Sequence, residues 1–546
     1  MLNNLNYNDS LIKNKKARFN TEINNLGQYF LSVKSKCSIF PSTSESIGGN
    51  MNYEDFIGEV KTVSRIQAIQ GQLGWDQQVM MPPNGANARA DTLAWLSGRA
   101  HETLTSKKMG DLISELEKNM SKLDNDQKTN VIEMRRTFDK STKLPAEFIE
   151  KVTKTRSKGM GVWAEARKNN DFNSFAPLLS ELVNLARDKI SYLDKGNTPY
   201  DTLLDDYEVG LTVDYLDPLF AELKEGLIEI LNKILKAKKQ QISKLDMTFP
   251  IKNQESFCLK ISEQMGFDFN SGRMDTSSHP FSIGISVGDT RITTRYDENE
   301  PFSCLYAVMH ETGHGLYEQG LPDEFALTPR GTAISLGVHE SQSRLWENQI
   351  GRTEEFWKFS LPLFQKEFPK FPKEIDAAQM NLIANQVEPS FIRVEADEVT
   401  YNLHIILRYE IEKQLFNGDL DVNDLPKVWN EMFKEWFGLD VVEDSSGVLQ
   451  DIHWSMGAFG YFPTYTLGNL YAAQLFETMK ENFEDVNQMI EDGNWIPLLN
   501  WLREHIHEKG RLYNPSDLIE NATGEKPSSA PFLKYLNEKY GRIYGF

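Results

Sequence analysis

From residue 51 onward, apolar side chains recur every three or four positions. In 109–123, Met109, Leu112, Ile113, Leu116, Met120 and Leu123 keep that step with charged residues between them. Such spacing lays one apolar stripe along a helix. Leu219, Phe220, Leu223, Leu227, Leu231, Ile234 and Leu235 repeat the pattern, and Pro218 reads as a first-turn residue, where a missing N–H is tolerated. No internal repeat or low-complexity linker follows residue 51, so the pattern predicts one continuous, mainly α-helical domain over residues 51–546. One segment departs from it. Phe281, Ile283, Ile285 and Val287 alternate with small residues, 288–289 offers a turn, and 290–296 resumes β-favouring residues. This predicts a short β-hairpin.

The first 50 residues differ in composition. They are rich in Asn, Ser and Lys and include the weakly ordering stretch 41–49, which predicts a disordered extension. They lack an apolar core followed by a small-residue cleavage site, the mark of a secretory signal. Their mild basicity resembles an organelle-targeting segment, but Asp9 and Glu22 weigh against it. Over the whole chain the composition is that of an ordinary soluble protein, 40% apolar and 25% charged. No apolar run approaches the roughly 18 residues of a membrane span. A net charge of -20 argues against a nucleic-acid surface, which needs clustered Lys and Arg. Cys37, Cys258 and Cys304 are far apart and lack metal-ligand spacing, so a reducing, cytoplasmic setting without disulfides is expected.

The candidate chemistry is concentrated at His310-Glu311-Thr312-Gly313-His314, an HExxH pattern. Residues four apart on a helix share a face, so both imidazoles can reach one ion, with Glu311 beside them as general base. Leu305, Val308, Met309, Leu316 and Tyr317 supply the apolar contacts of that helix, and Gly320 is placed to end it. A catalytic zinc normally takes three protein ligands. The metzincin continuation is missing, so the third ligand should be a carboxylate. Glu318, Asp323, Glu324, Glu340 and Glu347 are the candidates. Glu318 lies so close on the same helix that it would strain a tetrahedral site. Glu340 opens a second amphipathic helix with Leu345 and Trp346, and the loop containing Pro322 and Pro329 can fold it back. Spacing leaves this choice open.

Six segments then stand in order: His279-Pro280-Phe281, Asp289-Thr290-Arg291-Ile292-Thr293, the HETGH run, His339-Glu340-Ser341-Gln342, Ile392-Arg393-Val394-Glu395-Ala396-Asp397, and Gly447-Val448-Leu449-Gln450-Asp451-Ile452-His453-Trp454. Together they closely resemble the carboxypeptidase Taq family of zinc metallocarboxypeptidases, over essentially all of residues 51–546. The resemblance implies Glu340 as third ligand to zinc, with cobalt or manganese as possible replacements. It also implies a prolate helical subunit with a deep central groove, commonly a homodimer; the β-hairpin read from 281–296 would lie just before the metal helix. The implied reaction releases single C-terminal residues from peptides, with broad preference but not for proline.

A free terminal carboxylate is best held by the bidentate fork of an Arg. Arg393, Arg291 and Arg295 lie in or next to these segments. Arg393 has the alternative of an ion pair with Asp397, one helical turn on. His453 and Tyr461, then Tyr465, are candidates to donate to the developing oxyanion; packing of the groove wall is the ordinary alternative for the tyrosines. His279 and His339 read as residues making one structural hydrogen bond. His101, His404, His505 and His507 carry no signal. The rival readings are an endo-oligopeptidase or dipeptidyl carboxypeptidase on the same scaffold, and a zinc-stabilised peptide-binding protein without activity. The last has no use for Glu311.

Overall fold

The structure, a computed structural model, describes residues 53–193, 196–237, 245 and 247–546. The extension expected over residues 1–50 lies outside them. The unit Tyr53–Phe546 is mainly helical, with twenty α-helices and one three-stranded sheet among the described residues. None of these helices is long and apolar enough to cross a membrane.

Both predicted apolar stripes form helices, with shifted bounds. Helix Lys107–Lys118 buries Met109, Leu112, Ile113 and Leu116, and Ser106 caps it by accepting from the Met109 N–H at 3.1 Å. It stops short of Met120, which opens a 3-10 turn. The second stripe is carried by Val213–Lys236, whose cap is Thr212. Pro218 therefore lies inside the helix and not in its first turn. A Thr side chain that accepts from Tyr215 N–H starts the helix earlier, because it satisfies an otherwise orphaned donor. Leu235 falls off the buried stripe and is 56% exposed.

The hairpin is present as β2 (Phe281–Ser286) antiparallel to β3 (Asp289–Thr294), after a strand β1 (Gly272–Thr276) that pairs parallel to β3. The sequence Gly-Arg-Met-Asp-Thr of β1 has no alternating apolar pattern, so nothing local announced it. The order is β1-β3-β2. Ile292 on β3 is buried toward the helix Pro301–Gly320, while its neighbour Arg291 faces the other side, over the ring of Trp75.

Helix Pro301–Gly320 starts with Pro at its first position and buries Leu305, Val308, Met309, Leu316 and Tyr317. Gly320 is its last residue, not a left-handed cap. The helix ends because Leu321 is extended ahead of Pro322, a residue pair that disfavours the helical conformation. Glycine is required at 320 for another reason: a Cβ there would lie 2.3 Å from Nδ1 of the buried His507. Helix Leu336–Arg344, capped by Ser335, packs against it and continues as a π-helical turn, Leu345–Ile350. Two helices buried on nearly every side, Glu398–Asn417 and Pro463–Asn482, complete the centre of the core.

Candidate active site

His310 and His314 present their Nε2 atoms to the same carboxylate oxygen. Glu340 Oε2 lies 3.5 Å from His310 Nε2 and 3.4 Å from His314 Nε2. Ligand atoms placed 2.0–2.1 Å from a tetrahedral ion stand roughly 3.4 Å apart, so these three fit one zinc-sized cation. Among the described residues they form the one cluster of metal-ligating side chains. Helix packing enforces the approach. Gly468, on Pro463–Asn482, faces Glu340, and a Cβ there would come within 2.4 Å of Glu340 Cγ.

Each ligand is aimed by a further partner. Glu347 Oε2 lies 3.0 Å from His310 Nδ1, which donates and leaves Nε2 free as a lone-pair donor. His314 Nδ1 is 2.6 Å from His339 Nδ1, and His339 Nε2 is 2.9 Å from Glu318 Oε1. With protons on His314 Nδ1 and His339 Nε2, a relay runs from the ligand to that carboxylate. Such outer partners set tautomer and ring orientation at metal sites. Arg344 donates to Glu340 Oε1 at 2.7 Å and to Glu347 at 3.2 Å, which turns Oε2 of Glu340 toward the imidazoles. Glu318 and Glu347, candidates for the third ligand by spacing, thus hold the two histidines.

Electrostatics separate the roles. Burial alone would raise Glu340, but Arg344 and the imidazoles outweigh it and hold its pKa well below the carboxylate range. His314 is depressed to about 3 by burial, which keeps it a neutral ligand. His310 is raised despite its burial, because Glu340 and Glu347 flank it: the convergence point favours positive charge. Glu311 is buried without a hydrogen-bonded cation, and burial pushes it up to about 7.

A cavity of about 450 Å³ opens from this cluster, lined by His310, Glu340, Arg344, Arg393, Tyr401 and Tyr465 among others. A family model, Carboxypeptidase Taq (M32) metallopeptidase, matches residues 55–540. The chain belongs to that family. It is similar to thermostable carboxypeptidase 1 of Thermus thermophilus, with 40% identity over 90% of this chain and 99% of the relative. Carboxypeptidase 1 of Bacillus subtilis is 38% identical over 90% and 98%. The crystal structure of M32 carboxypeptidase from Deinococcus radiodurans R1 superposes with a TM-score of 0.88 at 34% identity, over 91% of this chain and all of that one. The protein is accordingly an M32 metallocarboxypeptidase, a peptide hydrolase.

The remaining candidates of the sequence divide. Arg393 is brought into the cavity. Its Nε and Nη2 donate to Asp451 Oδ1 at 3.0 and 2.8 Å, and Nη1 donates to the Tyr401 hydroxyl at 3.1 Å. The ion pair foreseen with Asp397 is not formed, since Asp397 caps helix Glu398–Asn417. Arg291 pairs through two N–H groups with Asp289 and stacks on Trp75 at 4.3 Å; Arg295 is exposed beyond β3. His453 Nε2 is 3.3 Å from the Tyr465 hydroxyl, and its ring packs on Tyr461 and Phe462. Burial lowers His453 to about 4 and raises both phenols. His279 is exposed. His507, silent in the sequence, is buried and reaches Gln342 Oε1 at 2.8 Å, tying the C-terminal region to the second metal helix. Arg344 was missed as well, although its place four residues after Glu340 is an ion-pair spacing.

Proposed function

We propose that the family's divalent metal is zinc in this protein, held by His310, His314 and Glu340, and that single residues are released from free peptide C-termini with broad preference, proline excepted. When bound, zinc supplies Lewis acidity and an acidified water. Glu311, with a pKa about 7, takes the proton of the attacking water and delivers it to the leaving amine. His453 is neutral at pH 7 and donates its N–H to the substrate carbonyl without titrating. Tyr461 and Tyr465 remain protonated phenols and supply further donors. A cytoplasmic setting is inferred from cysteine usage and a homodimer from the family resemblance; Cys258 and Cys304, 46 positions apart in sequence, bring their buried Sγ atoms to 3.6 Å.

The observation that carries the reading is Arg393. Its guanidinium lies in the same cavity as His310 and Glu340, and its contacts to Asp451 and Tyr401 leave hydrogens on Nη1 and Nη2 for another acceptor. A terminal carboxylate is that acceptor. Leaving a buried charge without its partner costs about 2–5 kcal/mol, roughly 30- to several thousand-fold. A blocked dipeptide should therefore be cleaved as the free acid and hardly at all as the amide. Equal rates for acid and amide across several peptide lengths would overturn the assignment in favour of an endopeptidase. Mass-spectrometric ladders that lose two residues at a time would favour the dipeptidyl reading.

A further inference from the structure

Asp451 is shared. Its Oδ1 takes both N–H groups of Arg393, while Oδ2 accepts from Arg408 Nε at 2.7 Å and lies 2.5 Å from Arg408 Nη2. Arg408 sits on helix Glu398–Asn417, is fully buried, and donates to the His404 carbonyl at 2.6 Å. It also stacks over Trp429 at 4.6 Å. Phe462 lies against both guanidiniums, 5.9 Å from Arg393 and 5.4 Å from Arg408. Among the described residues Asp451 is the one carboxylate that either arginine pairs with. The two cations and the one carboxylate paired with them carry a net charge of +1; Glu412, one helical turn from Arg408, is pushed up to about 7 by burial and bonds Tyr200, Trp454 and Gly460 instead. The imidazoles that border the cluster do not offset this charge. Burial is the main cause that depresses both His404 and His453, so both stay neutral. Arg408 itself is lowered by burial and by Arg393 against the pull of Asp451, as expected of a cation held in a charge-deficient site.

A buried Arg–carboxylate–Arg triad is a poor device for stability, since the desolvation of three charges rivals their attraction. A fourth partner of negative charge closes it. We propose that Arg408 and Asp451 are positioning residues for the terminal carboxylate: Asp451 fixes the side edge of Arg393 so that its remaining hydrogens face the cavity, and Arg408 offsets the Asp451 charge so that the cluster still attracts an anion. This rests on the reading that Arg393 takes the carboxylate. Without Arg408, Arg393 and Asp451 would sum to zero, and the cavity would lose its pull although no atom in contact with the peptide had changed.

The test uses Arg408→Gln, which keeps a hydrogen-bond donor for Asp451 and removes the charge, alongside Arg408→Lys and Arg393→Ala. Steady-state kinetics on a blocked dipeptide is paired with calorimetric binding of the free product amino acid to metal-free protein, a readout independent of turnover. Arg408→Gln should raise KM and the product Kd together by roughly tenfold or more, with kcat within about threefold. Arg408→Lys should recover most of the loss. Should the Gln variant not fold, the Lys variant still decides, because it must keep the wild-type KM within a few-fold. Unchanged KM and Kd in Arg408→Gln, or loss confined to kcat, would overturn the proposal. Arg393→Ala separates the two levels: if it leaves the preference for acid over amide intact, the reading of Arg393 itself fails.

Discussion

Glu311 and Glu340 are carboxylates on facing helices, and their surroundings assign them opposite tasks. Glu340 is pinned by Arg344 and faces two imidazoles, so it stays ionised and suits a cation. For Glu311 burial is the largest influence, with flanking imidazoles and carboxylates pulling in opposite directions, and it is raised to about 7, so it can take and return a proton in one cycle. Glu311→Gln should keep metal binding and lose nearly all turnover, since it removes the base and spares the ligands. A general base contributes about 10²–10⁴-fold, and a variant that retains more than about a tenth of wild-type kcat would exclude this role. The candidate ligand pair and candidate base were legible because the HExxH spacing is local. The outer partners were not. Glu318 and Glu347 have the same residue type as a ligand and a similar distance in sequence, and only the fold decides that Glu340 turns inward while these two receive imidazole N–H groups. Arg393 was legible as a candidate, while the alternative ion pair with Asp397, near in sequence, gives way to Asp451, near in space.

At the scale of elements, the same buried carboxylates that align helices also make their packing sensitive to pH. Glu412, on helix Glu398–Asn417, accepts from Tyr200 Oη at 2.6 Å, Trp454 Nε1 at 2.7 Å and Gly460 N at 2.7 Å. It therefore joins three separate segments. Burial pushes it up to about 7, against those hydrogen bonds and Arg408. A folded-state pKa above the unfolded one means that the native chain binds the proton more tightly. The contribution is then fully present below the unfolded value of 4.5 and is lost as pH rises through about 7. At about 1.4 kcal/mol per pH unit this amounts to roughly 3 kcal/mol, or about 3 °C in Tm for a domain of this size. Thermal scans from pH 5 to 9 should show wild type losing that margin between pH 5 and 8, and Glu412→Gln should lack this part of the slope. Parallel pH profiles for the two proteins would exclude Glu412 as the group responsible. Helices and the hairpin were visible in the apolar pattern because their stripes are long and regular. Strand β1 was not, because a parallel pairing with β3 is specified by neighbours distant in sequence. The early start of Val213–Lys236 was lost because Pro218 is a stronger signal than a Thr cap.

For the whole molecule, the site is assembled from segments scattered over the last 240 or so positions of a 546-residue chain: the metal helices, the turn at Arg393–Glu395, the helix of Arg408, and the stretch from Asp451 to Tyr465. No fragment of it can carry the reaction, and a chain cut before residue 447 should lose Asp451 and His453 together. The start of the chain is a different matter. The family match begins at residue 55, and relatives align over 98–100% of their own length with 90–91% of this chain. The first described helix, Tyr53–Val79, already supplies Trp75 beneath Arg291 and Arg273 and buries Phe56, Val60 and Val63 in the hydrophobic core of the following helices. We infer from this that the catalytic unit begins near residue 51. A chain that begins at Met51 should be soluble, unfold at the Tm of the full chain within about 1 °C, and cleave the blocked dipeptide acid within about twofold of its kcat/KM, because the family match begins only at residue 55 and terminal segments commonly tolerate removal. Removal of the first 60 residues should fail, since it strips Phe56 and Val60 from the core and opens a cavity worth several kcal/mol. If the Met51 chain aggregates or loses activity while the full chain does not, the first 50 residues belong to the folded unit.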